Sequence, residues 1–363
     1  MGKRVAVLTS GGDAPGMNMA IRAIAKLGAA AGVEILGVER GYDGLMDGSF
    51  RDLNRSNVNG FAAAKGLDLI GSLGGTVLGS ARSARFRTEE GRAEAAKRLA
   101  EAGVGALVVI GGNGSLTGAH LLSKEHPKLQ VMGMPASIDN DIGCTGLAIG
   151  VDTALNTIVE ACDRISDTAR AHRRAFVVEV MGRECGYLAM ASAIAVGADA
   201  VLFREQGRSE EDVMKSVEDA IVRGFAPGRD KKRVLIIKSE GVKVPATLLA
   251  RTLDERLGER LGVDIRATVL GHLVRGGSPS YQDRAMAGRL SMQALGALLE
   301  GASDEMVAWQ APVEGGTATK DPHVSRFTLE QVLEETDALL DGSSPITQRR
   351  VKMMERVEGV LGL

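Results

Sequence analysis

The chain is poor in cysteine, in aromatic residues and in long apolar runs. Its three cysteines, Cys144, Cys162 and Cys185, are odd in number and widely spaced. The sequence therefore predicts reduced thiols in a cytoplasmic protein rather than a disulfide framework or a cysteine-ligated metal. No apolar run reaches the roughly 18 residues that a membrane span needs. The net charge of −2 gives no reason to expect a nucleic-acid or membrane partner.

Glycine is abundant, with 47 residues in a chain of 363, which is long enough for two domains. Short apolar runs alternate with helical patterns, and this alternation predicts an α/β fold with doubly wound parallel sheets. The predicted strands are Val5–Thr9, Ala106–Ile110, Val131–Met134, Phe176–Val180 and Val234–Lys238. The predicted helices are Met17–Ala31, Leu116–Ser123, Thr153–Asp167, Glu210–Arg223 and Leu329–Leu340. Two segments, 224–233 and 314–325, are predicted to be exposed loops.

The segment Pro135–Asp141 places a hydroxyl and two carboxylates directly after a predicted strand. Open α/β sheets bind ligands at the carboxyl ends of their strands. Two carboxylates beside a hydroxyl suit metal-assisted phosphoryl transfer, in which one accepts a proton and the other helps to hold a cation. The alternative is an ordinary turn in which an aspartate caps the next helix.

Two other strands end in glycine-rich turns, at Ser10–Asn18 and Gly111–Ser115. Glycines let backbone amides approach an anion, and the helix that follows adds a partial positive charge. Neither turn matches the spacing of a dinucleotide fingerprint or of a P-loop. Arg82, Arg85 and Arg87 follow a further glycine-rich segment, where they suit either phosphate binding or a solvated basic loop.

These segments resemble the 6-phosphofructokinase family, with motifs in the family's order and near its spacing over about residues 3–300. The matching motifs are Ser10–Asn18 (SGGDAPGMN), Gly74–Arg82 (GGTVLGSAR), Ser137–Asp141 (SIDND), Val178–Gly186 (VEVMGRECG) and Arg266–Pro279 (RATVLGHLVRGGSP).

The resemblance implies a role for individual residues. Asp139 would be the general base for the sugar 1-hydroxyl, with Asp141 beside it helping to organise Mg²⁺. Ser137, Arg82 and Arg183 would complete the catalytic set. The nucleotide would be bound by Gly11, Arg82, Arg87, Gly112, Asn113, Gly114 and Ser115. The sugar phosphate would be bound by Ser137, Asp139, Asp141, Arg174, Met181, Gly182, Arg183, Glu240, Arg266, His272 and Arg275.

The fold implied is two Rossmann-like doubly wound domains with the active site in the cleft between them. Residues 1–150 with about 275–320 would bind the nucleotide, and 151–274 with about 321–363 the sugar phosphate. Arg174 and Arg266 would act across a subunit interface, which implies a homodimer or homotetramer with shared sites. The reactants would be fructose 6-phosphate and ATP, with Mg²⁺ as cofactor.

The identity of the phosphoryl donor is indicated by a few positions. Pyrophosphate-using members of the family carry Asp where this chain has Gly114, and Lys where it has Ala136, so ATP is favoured. Asn113 departs from the Asp that ATP-using members carry for magnesium. The alternatives left open are a pyrophosphate-dependent enzyme, a non-catalytic sugar-phosphate-sensing subunit, and a kinase of another sugar phosphate.

An effector site is matched only in part. The basic residues near the family's effector positions are Arg22, Lys26, Arg55, Arg229 and Lys231. Ser166 stands where bacterial relatives use Arg. A solvated basic rim is an equal alternative.

Overall fold

The computed structural model of the protein describes residues 4–53, 66–358 and 360–361. The strands are β1 Arg4–Ser10, β2 Glu34–Val38, β3 Phe50–Asp52, β4 Ala106–Gly111, β5 Gln130–Pro135, β6 Arg174–Val180, β7 Ala200–Leu202, β8 Arg233–Ser239, β9 Asp264–Val269, β10 Glu305–Trp309, β11 Thr317–Ala318 and β12 Val324–Thr328. The helices are α1 Met17–Ala30, α2 Gly41–Met46, α3 Gly66–Ile70, α4 Glu89–Glu101, α5 Asn113–Glu125, α6 Val151–His172, α7 Tyr187–Val196, α8 Glu210–Gly224, α9 Ala246–Leu261, α10 Tyr281–Leu299, α11 Leu329–Asp341 and α12 Pro345–Val357. Short 3₁₀ turns cover Arg85–Arg87, Arg204–Gln206 and Gly271–Arg275.

The chain forms two compact units, each made of two separate segments. Unit 1 comprises Met1–Thr153 and Arg275–Ala338, and unit 2 comprises Ala154–Val274 and Leu339–Leu363. The boundary expected near residue 320 lies after Ala338 instead. The physical reason is strand pairing, because β12 pairs antiparallel with β10 and so belongs to the sheet of unit 1.

The sheet of unit 1 has eight strands in the order β11-β12-β10-β5-β4-β1-β2-β3. The central strands are parallel, and β4 is buried along its whole length, as expected for a strand covered by helices on both faces. The strand order reverses between β1 and β4, where an open α/β sheet has its ligand crevice. Ser10 pairs in register with Gly111, and Gly111 with Pro135, so three strands end at one edge.

The segment 314–325 is only partly a loop, contrary to the sequence-based prediction. It contains β11, and β12 begins at Val324. Thr317 and Ala318 pair with Arg326 and Ser325. Strand β11 pairs with β12, and β12 pairs with β10. Because these strands depend on partners outside 314–325, no local pattern in that segment indicated a strand.

Unit 2 has a parallel sheet of four strands in the order β7-β8-β6-β9. Its core is formed by apolar side chains of the strands and of α8 and α9, among them Val177, Ile236, Val217 and Leu253. The predicted strands at Phe176–Val180 and Val234–Lys238 are confirmed within longer strands. Both structural units therefore have the predicted parallel α/β architecture.

The three cysteines are free thiols and all are buried. Burial raises the pKa of Cys144 and of Cys162 to about 12. Among the described residues, no helix is both long and apolar enough to cross a membrane.

Candidate active site

A cavity of about 600 Å³ lies in unit 1 at the carboxyl ends of β1, β4 and β5, where the strand order reverses. Its lining residues are Ser10, Gly11, Gly12, Tyr42, Ala81, Arg82, Ser83, Phe86, Arg87, Arg92, Gly112, Asn113, Gly114, Ser115, Thr117, Gly118, Leu121, Ala136, Ser137, Asp139, Asp141 and Arg275. The cavity therefore brings together every residue predicted to bind the nucleotide, as well as the acidic turn.

The two glycine-rich turns line this cavity. Gly11 has a φ of +85°, a left-handed conformation that favours glycine, and its carbonyl accepts a hydrogen bond of 2.6 Å from the Ser80 hydroxyl. Helix α5 begins at Asn113, inside the predicted turn and three residues before the predicted helix start at Leu116. No side chain in the described part of the chain caps this terminus, so its first amides and its dipole are available to an anion.

The acidic turn after β5 is held in place by its own side chains. The Ser137 hydroxyl donates a 2.6 Å hydrogen bond to Oδ1 of Asp141. Asn140 is buried and has a φ of +51°. Its amide donates to the Gly146 carbonyl at 3.1 Å and its Oδ1 accepts from the amide of Ala148 at 3.0 Å. These contacts fix the turn so that Asp139 and Asp141 both line the cavity.

Four arginines line the cavity, namely Arg82, Arg87, Arg92 and Arg275. Arg82 and Arg87 are exposed, and neither forms an ion pair with a carboxylate in the described part of the chain. Many other arginines of this protein do have such partners, for example Arg92 with Glu125. An unpaired cluster of guanidinium groups next to glycine-rich turns is suited to binding phosphate.

Two stacked aromatic residues, Tyr42 and Phe86, line the cavity as an aromatic wall that the sequence did not predict. The rings of Tyr42 and Phe86 stack with centroids 3.7 Å apart, and the Tyr42 hydroxyl donates to the Ser115 carbonyl at 2.7 Å. Gly118 permits this packing, since a Cβ there would lie 2.9 Å from Phe86. Tyr42 and Phe86 are 44 positions apart, so no local sequence pattern indicated this contact.

Arg92 and Glu125 support the turn that carries Phe86 and Arg87. The Arg92 guanidinium is buried and forms two hydrogen bonds to the carboxylate of Glu125, at 2.7 and 2.5 Å. It also donates to the carbonyls of Arg87 and Phe86, at 2.7 and 3.3 Å. The hydrogen bond to Glu125 raises the pKa of Arg92, so this support stays charged.

In unit 2, four of the residues predicted to bind sugar lie at the carboxyl ends of β6 and β8. Met181 and Gly182 follow β6, and Glu240 follows β8. The Ser239 hydroxyl donates to the Gly182 carbonyl, and the Glu240 amide donates to the Val180 carbonyl at 2.9 Å. The two loops are therefore tied together, with Arg183 exposed beside them.

Arg174 and Arg266, which are predicted to act across a subunit interface, both form ion pairs with the carboxylate of Asp264 in the same chain. Nε of Arg174 lies 3.0 Å from Oδ2 of Asp264, and Nη2 of Arg266 lies 3.5 Å from Oδ1. Both side chains remain partly exposed, at 27% and 53%. His272 is exposed in unit 2, whereas Arg275 lines the cavity of unit 1.

Comparison with known proteins agrees with these motifs. A family model described as phosphofructokinase matches residues 4–298. The chain belongs to the phosphofructokinase family. It is 46% identical to the ATP-dependent 6-phosphofructokinase of Thermotoga petrophila over 85% of this chain and 90% of that protein. It is 43% identical to the enzyme of the same name from Clostridium botulinum, over 84% and 89% of the two chains.

A solved phosphofructokinase structure also matches. The phosphofructokinase of Pichia pastoris in the T-state superposes with a TM-score of 0.83 at 31% identity. That match covers 99% of this chain but only 39% of the yeast chain. This phosphofructokinase thus spans well under half of that relative, and nearly the whole length of the bacterial ones.

The carboxylates that line the cavity of this phosphofructokinase are suited to binding a cation together with the phosphates of a bound substrate. Among the described residues, no group of three or more His, Cys, Asp or Glu side chains could hold a metal by itself. Asp139, Asp141 and Asn113 nevertheless line one cavity. Mg²⁺ is commonly bound by one or two carboxylates, water and substrate phosphates, so this oxygen set fits it.

Three of the five predicted effector residues, Arg22, Lys26 and Lys231, form ion pairs with carboxylates of the chain. Asp68 accepts ion pairs from Arg22 at 3.3 Å and from Lys26 at 2.9 Å, and these cations lower its pKa, Lys26 most. Lys231 lies 2.6 Å from Asp199. Arg229 is exposed, and Arg55 lies outside the described residues.

Proposed function

We propose that this phosphofructokinase transfers the terminal phosphoryl group of ATP to the 1-hydroxyl of fructose 6-phosphate, as a cytoplasmic enzyme of glycolysis. One observation supports this most strongly. A single cavity combines two glycine-rich turns, an uncapped helix N-terminus, unpaired arginines and an acidic turn. Phosphoryl transfer depends on positioning and charge stabilisation more than on covalent help, and these groups supply both.

Asp139 is the general base in this proposal. Asp141 accepts a hydrogen bond from the Ser137 hydroxyl, and Asp139 lines the cavity two residues before it. Asp139 takes the proton of the attacking hydroxyl. Arg82 and Arg183 stabilise negative charge on the phosphoryl group as it is transferred, and Ser137 hydrogen-bonds to it.

Mg²⁺ would be held by Asp141 and Asn113 together with the nucleotide phosphates. When bound, it would neutralise phosphate charge. The nucleotide itself is bound by the glycine turns at Gly11 and Gly112 and by the first turn of α5, with Arg87 near the phosphates. The aromatic wall of Tyr42 and Phe86 offers an apolar surface for a base.

The sugar phosphate is bound mainly by residues of unit 2. Met181, Gly182, Arg183 and Glu240 hold the sugar, and its 6-phosphate is bound by Arg174, Arg266, His272 and Arg275. The tie between the β6 and β8 loops through Ser239 supports this set, because it fixes the backbone on which these side chains stand.

Steady-state kinetics with ATP and with pyrophosphate, each over a magnesium titration, tests the proposed function. Faster turnover with ATP is expected, because Gly114 and Ala136 leave a nucleotide phosphate unobstructed. A larger kcat/KM with pyrophosphate would instead assign this chain to the pyrophosphate-dependent branch. No turnover with either donor would favour a sensing subunit.

Asn113→Asp is expected to strengthen the hold on magnesium. Asn113 begins α5 and lines the cavity, and among the described residues its Oδ1 makes only a long 3.5 Å contact with the Thr117 hydroxyl. A carboxylate there should lower the magnesium concentration at half-maximal rate by about threefold to thirtyfold, or roughly 0.7–2 kcal/mol. The KM for fructose 6-phosphate should change little. Asn113→Ala is the neutral control, and an unchanged magnesium response in the Asp variant would place Asn113 outside the metal's surroundings.

The active enzyme is proposed to be a homodimer or homotetramer. If Arg174 and Arg266 reach the site of a neighbouring subunit, a monomer cannot complete its own site. Mixing inactive Arg174→Ala protein with inactive Asp139→Ser protein, with subunit exchange, should regain activity through hybrid sites. Each variant mixed with itself is the control. A fully active monomer in sedimentation would contradict the proposal.

A further inference from the structure

Lys238, near the carboxyl end of β8, is a buried lysine in the sheet of unit 2. Its side chain is 1% exposed, and among the described residues no other lysine is buried. It lies on the same face of β8 as Val234 and Ile236, which belong to the apolar core, because alternate residues of a strand share a face. An apolar side chain would continue this core without the cost of burying a charge. Packing alone therefore does not explain a lysine at this position.

The ammonium group of Lys238 is held by two oxygen atoms. Its Nζ lies 2.9 Å from Oε2 of Glu179, the residue paired with it in register on β6, and donates a 3.0 Å hydrogen bond to the Ser239 carbonyl. The same Oε2 accepts a 3.2 Å hydrogen bond from the amide of Ala246, the first residue of α9. Glu179 thus compensates the buried charge and satisfies one amide at the start of α9. The second bond of Lys238 instead reaches the loop that carries Glu240.

The bond to the Ser239 carbonyl fixes one side of the peptide unit that precedes Glu240. On the other side, the Glu240 amide donates to the Val180 carbonyl at 2.9 Å. Because a peptide unit is planar, two hydrogen bonds to its C=O and its N–H fix the plane. The next residue is held as well, since the Gly241 amide donates to the Ser239 hydroxyl at 3.3 Å. A Cβ on Gly241 would also collide with the Arg183 carbonyl. The backbone therefore sets the direction in which the Glu240 side chain points.

We propose that Lys238 is a positioning residue for sugar binding, whose ammonium group holds the peptide unit between Ser239 and Glu240 and so directs the Glu240 carboxylate to the sugar. The proposal rests on the proposed function, in which Glu240 binds fructose 6-phosphate. Lys238 is too deeply buried to contact the substrate itself. It acts on the affinity for the sugar phosphate and not on the donor, because the cavity proposed to bind the nucleotide lies in unit 1.

Three variants separate the bond to Ser239 from the ion pair with Glu179. Glu179→Gln removes the negative charge of the pair but keeps the lysine, whose amine donates to the Ser239 carbonyl with or without its charge. Lys238→Met removes that bond and leaves the Glu179 carboxylate without its cation. The double variant Lys238→Met with Glu179→Gln also lacks the bond to Ser239, but it contains neither charge of the pair.

Thermal unfolding and sugar affinity should rank these variants differently. Both single variants should unfold at a lower temperature than the double variant, because breaking a buried ion pair is more destabilising than removing both charges. The KM for fructose 6-phosphate should rise by about 5–30-fold in the two variants that lack Lys238, and by less than about twofold in Glu179→Gln. Calorimetry with a non-hydrolysable ATP analogue, without sugar, should show the wild-type affinity in all three.

A second test asks whether Lys238 acts through Glu240. Glu240→Gln removes the carboxylate itself and should raise the KM for fructose 6-phosphate at least as much as Lys238→Met. Combining the two substitutions should raise the KM no further than Glu240→Gln alone, because both remove the same contact with the sugar. Ile236→Ala, on the same face of β8 but inside the apolar core, is the structural control. It should lower the unfolding temperature and leave the KM unchanged.

Two results would overturn the proposal. The first is a KM for fructose 6-phosphate that follows the unfolding temperature across all these variants, which would make Lys238 and Glu179 a structural ion pair only. The second is a double variant of Lys238 and Glu240 in which the two effects on KM multiply in full. Wild-type turnover of ATP with fructose 6-phosphate reports on the proposed function separately. If the wild type turns over and Lys238→Met keeps its KM, the role of Lys238 is contradicted and the proposed function is not.

Discussion

Asp139→Ser should lower kcat by about 10²–10⁴-fold, the usual contribution of a positioned general base. Serine removes the proton acceptor but leaves the Ser137–Asp141 hydrogen bond and the anchoring of Asn140 unchanged. The acidic turn should therefore keep its shape. The KM for fructose 6-phosphate should change far less, because arginine and histidine side chains are proposed to bind its phosphate. Steady-state kinetics with saturating ATP measures both effects.

An exposed aspartate gives the matched control for this experiment. Asp163 lies on the exposed face of α6, and Asp163→Ser should leave kcat unchanged. If Asp139→Ser kept kcat within about threefold of the wild type, less than the tenfold that 1.4 kcal/mol represents, Asp139 would be removed from the mechanism. A similar loss in the Asp163 variant would point to a general effect of lost charge.

Gly114→Asp should damage the use of ATP without damaging the fold. Gly114 lies in the first turn of α5, its φ is not in the left-handed region, and a Cβ there would meet no atom within 4 Å. An acidic residue in the first turn of a helix is favourable by about 0.3–1 kcal/mol. Thermal unfolding should therefore occur at an unchanged or slightly higher temperature.

The same carboxylate would face the phosphates of the nucleotide. Two like charges about 4 Å apart repel by roughly 1–4 kcal/mol between bulk water and a protein surface. The KM for ATP should therefore rise by about 10–100-fold. Gly114→Asn, with nearly the same shape and no charge, is the control and should retain most of the wild-type affinity. Equal KM values for ATP in the Asp and Asn variants would show that charge at position 114 does not select the donor.

The sequence predicted the parts of the fold that local patterns specify. Strands β1, β4, β5, β6 and β8 were predicted because strands buried on both faces are continuous apolar runs. The other strands were not predicted, both exposed ones such as β9, on which Arg266 and Val269 are exposed, and short buried ones such as β7 and β10. The sequence predicted that the chain returns to unit 2 near residue 320, whereas it does so after Ala338. The prediction was too early because the pairing of β12 with β10 is non-local.

For the site, the sequence determined which chemical groups are present. The glycine turns, the SIDND segment and the arginines stand in contiguous motifs, so their identity and their position at strand ends follow from the chain alone. The order of the motifs also determined the family. None of this depends on which strands become neighbours.

Only the tertiary structure decided how those groups combine. The reversal of strand order between β1 and β4 brings Gly11, Asn113 and Asp139 to one cavity, although they are far apart in sequence. The stacking of Tyr42 on Phe86 and the placement of Arg275 over Gly12 join residues separated by 44 and by 263 positions. Such contacts are set by packing and strand pairing, which act between distant segments, and a local sequence pattern carries no trace of them.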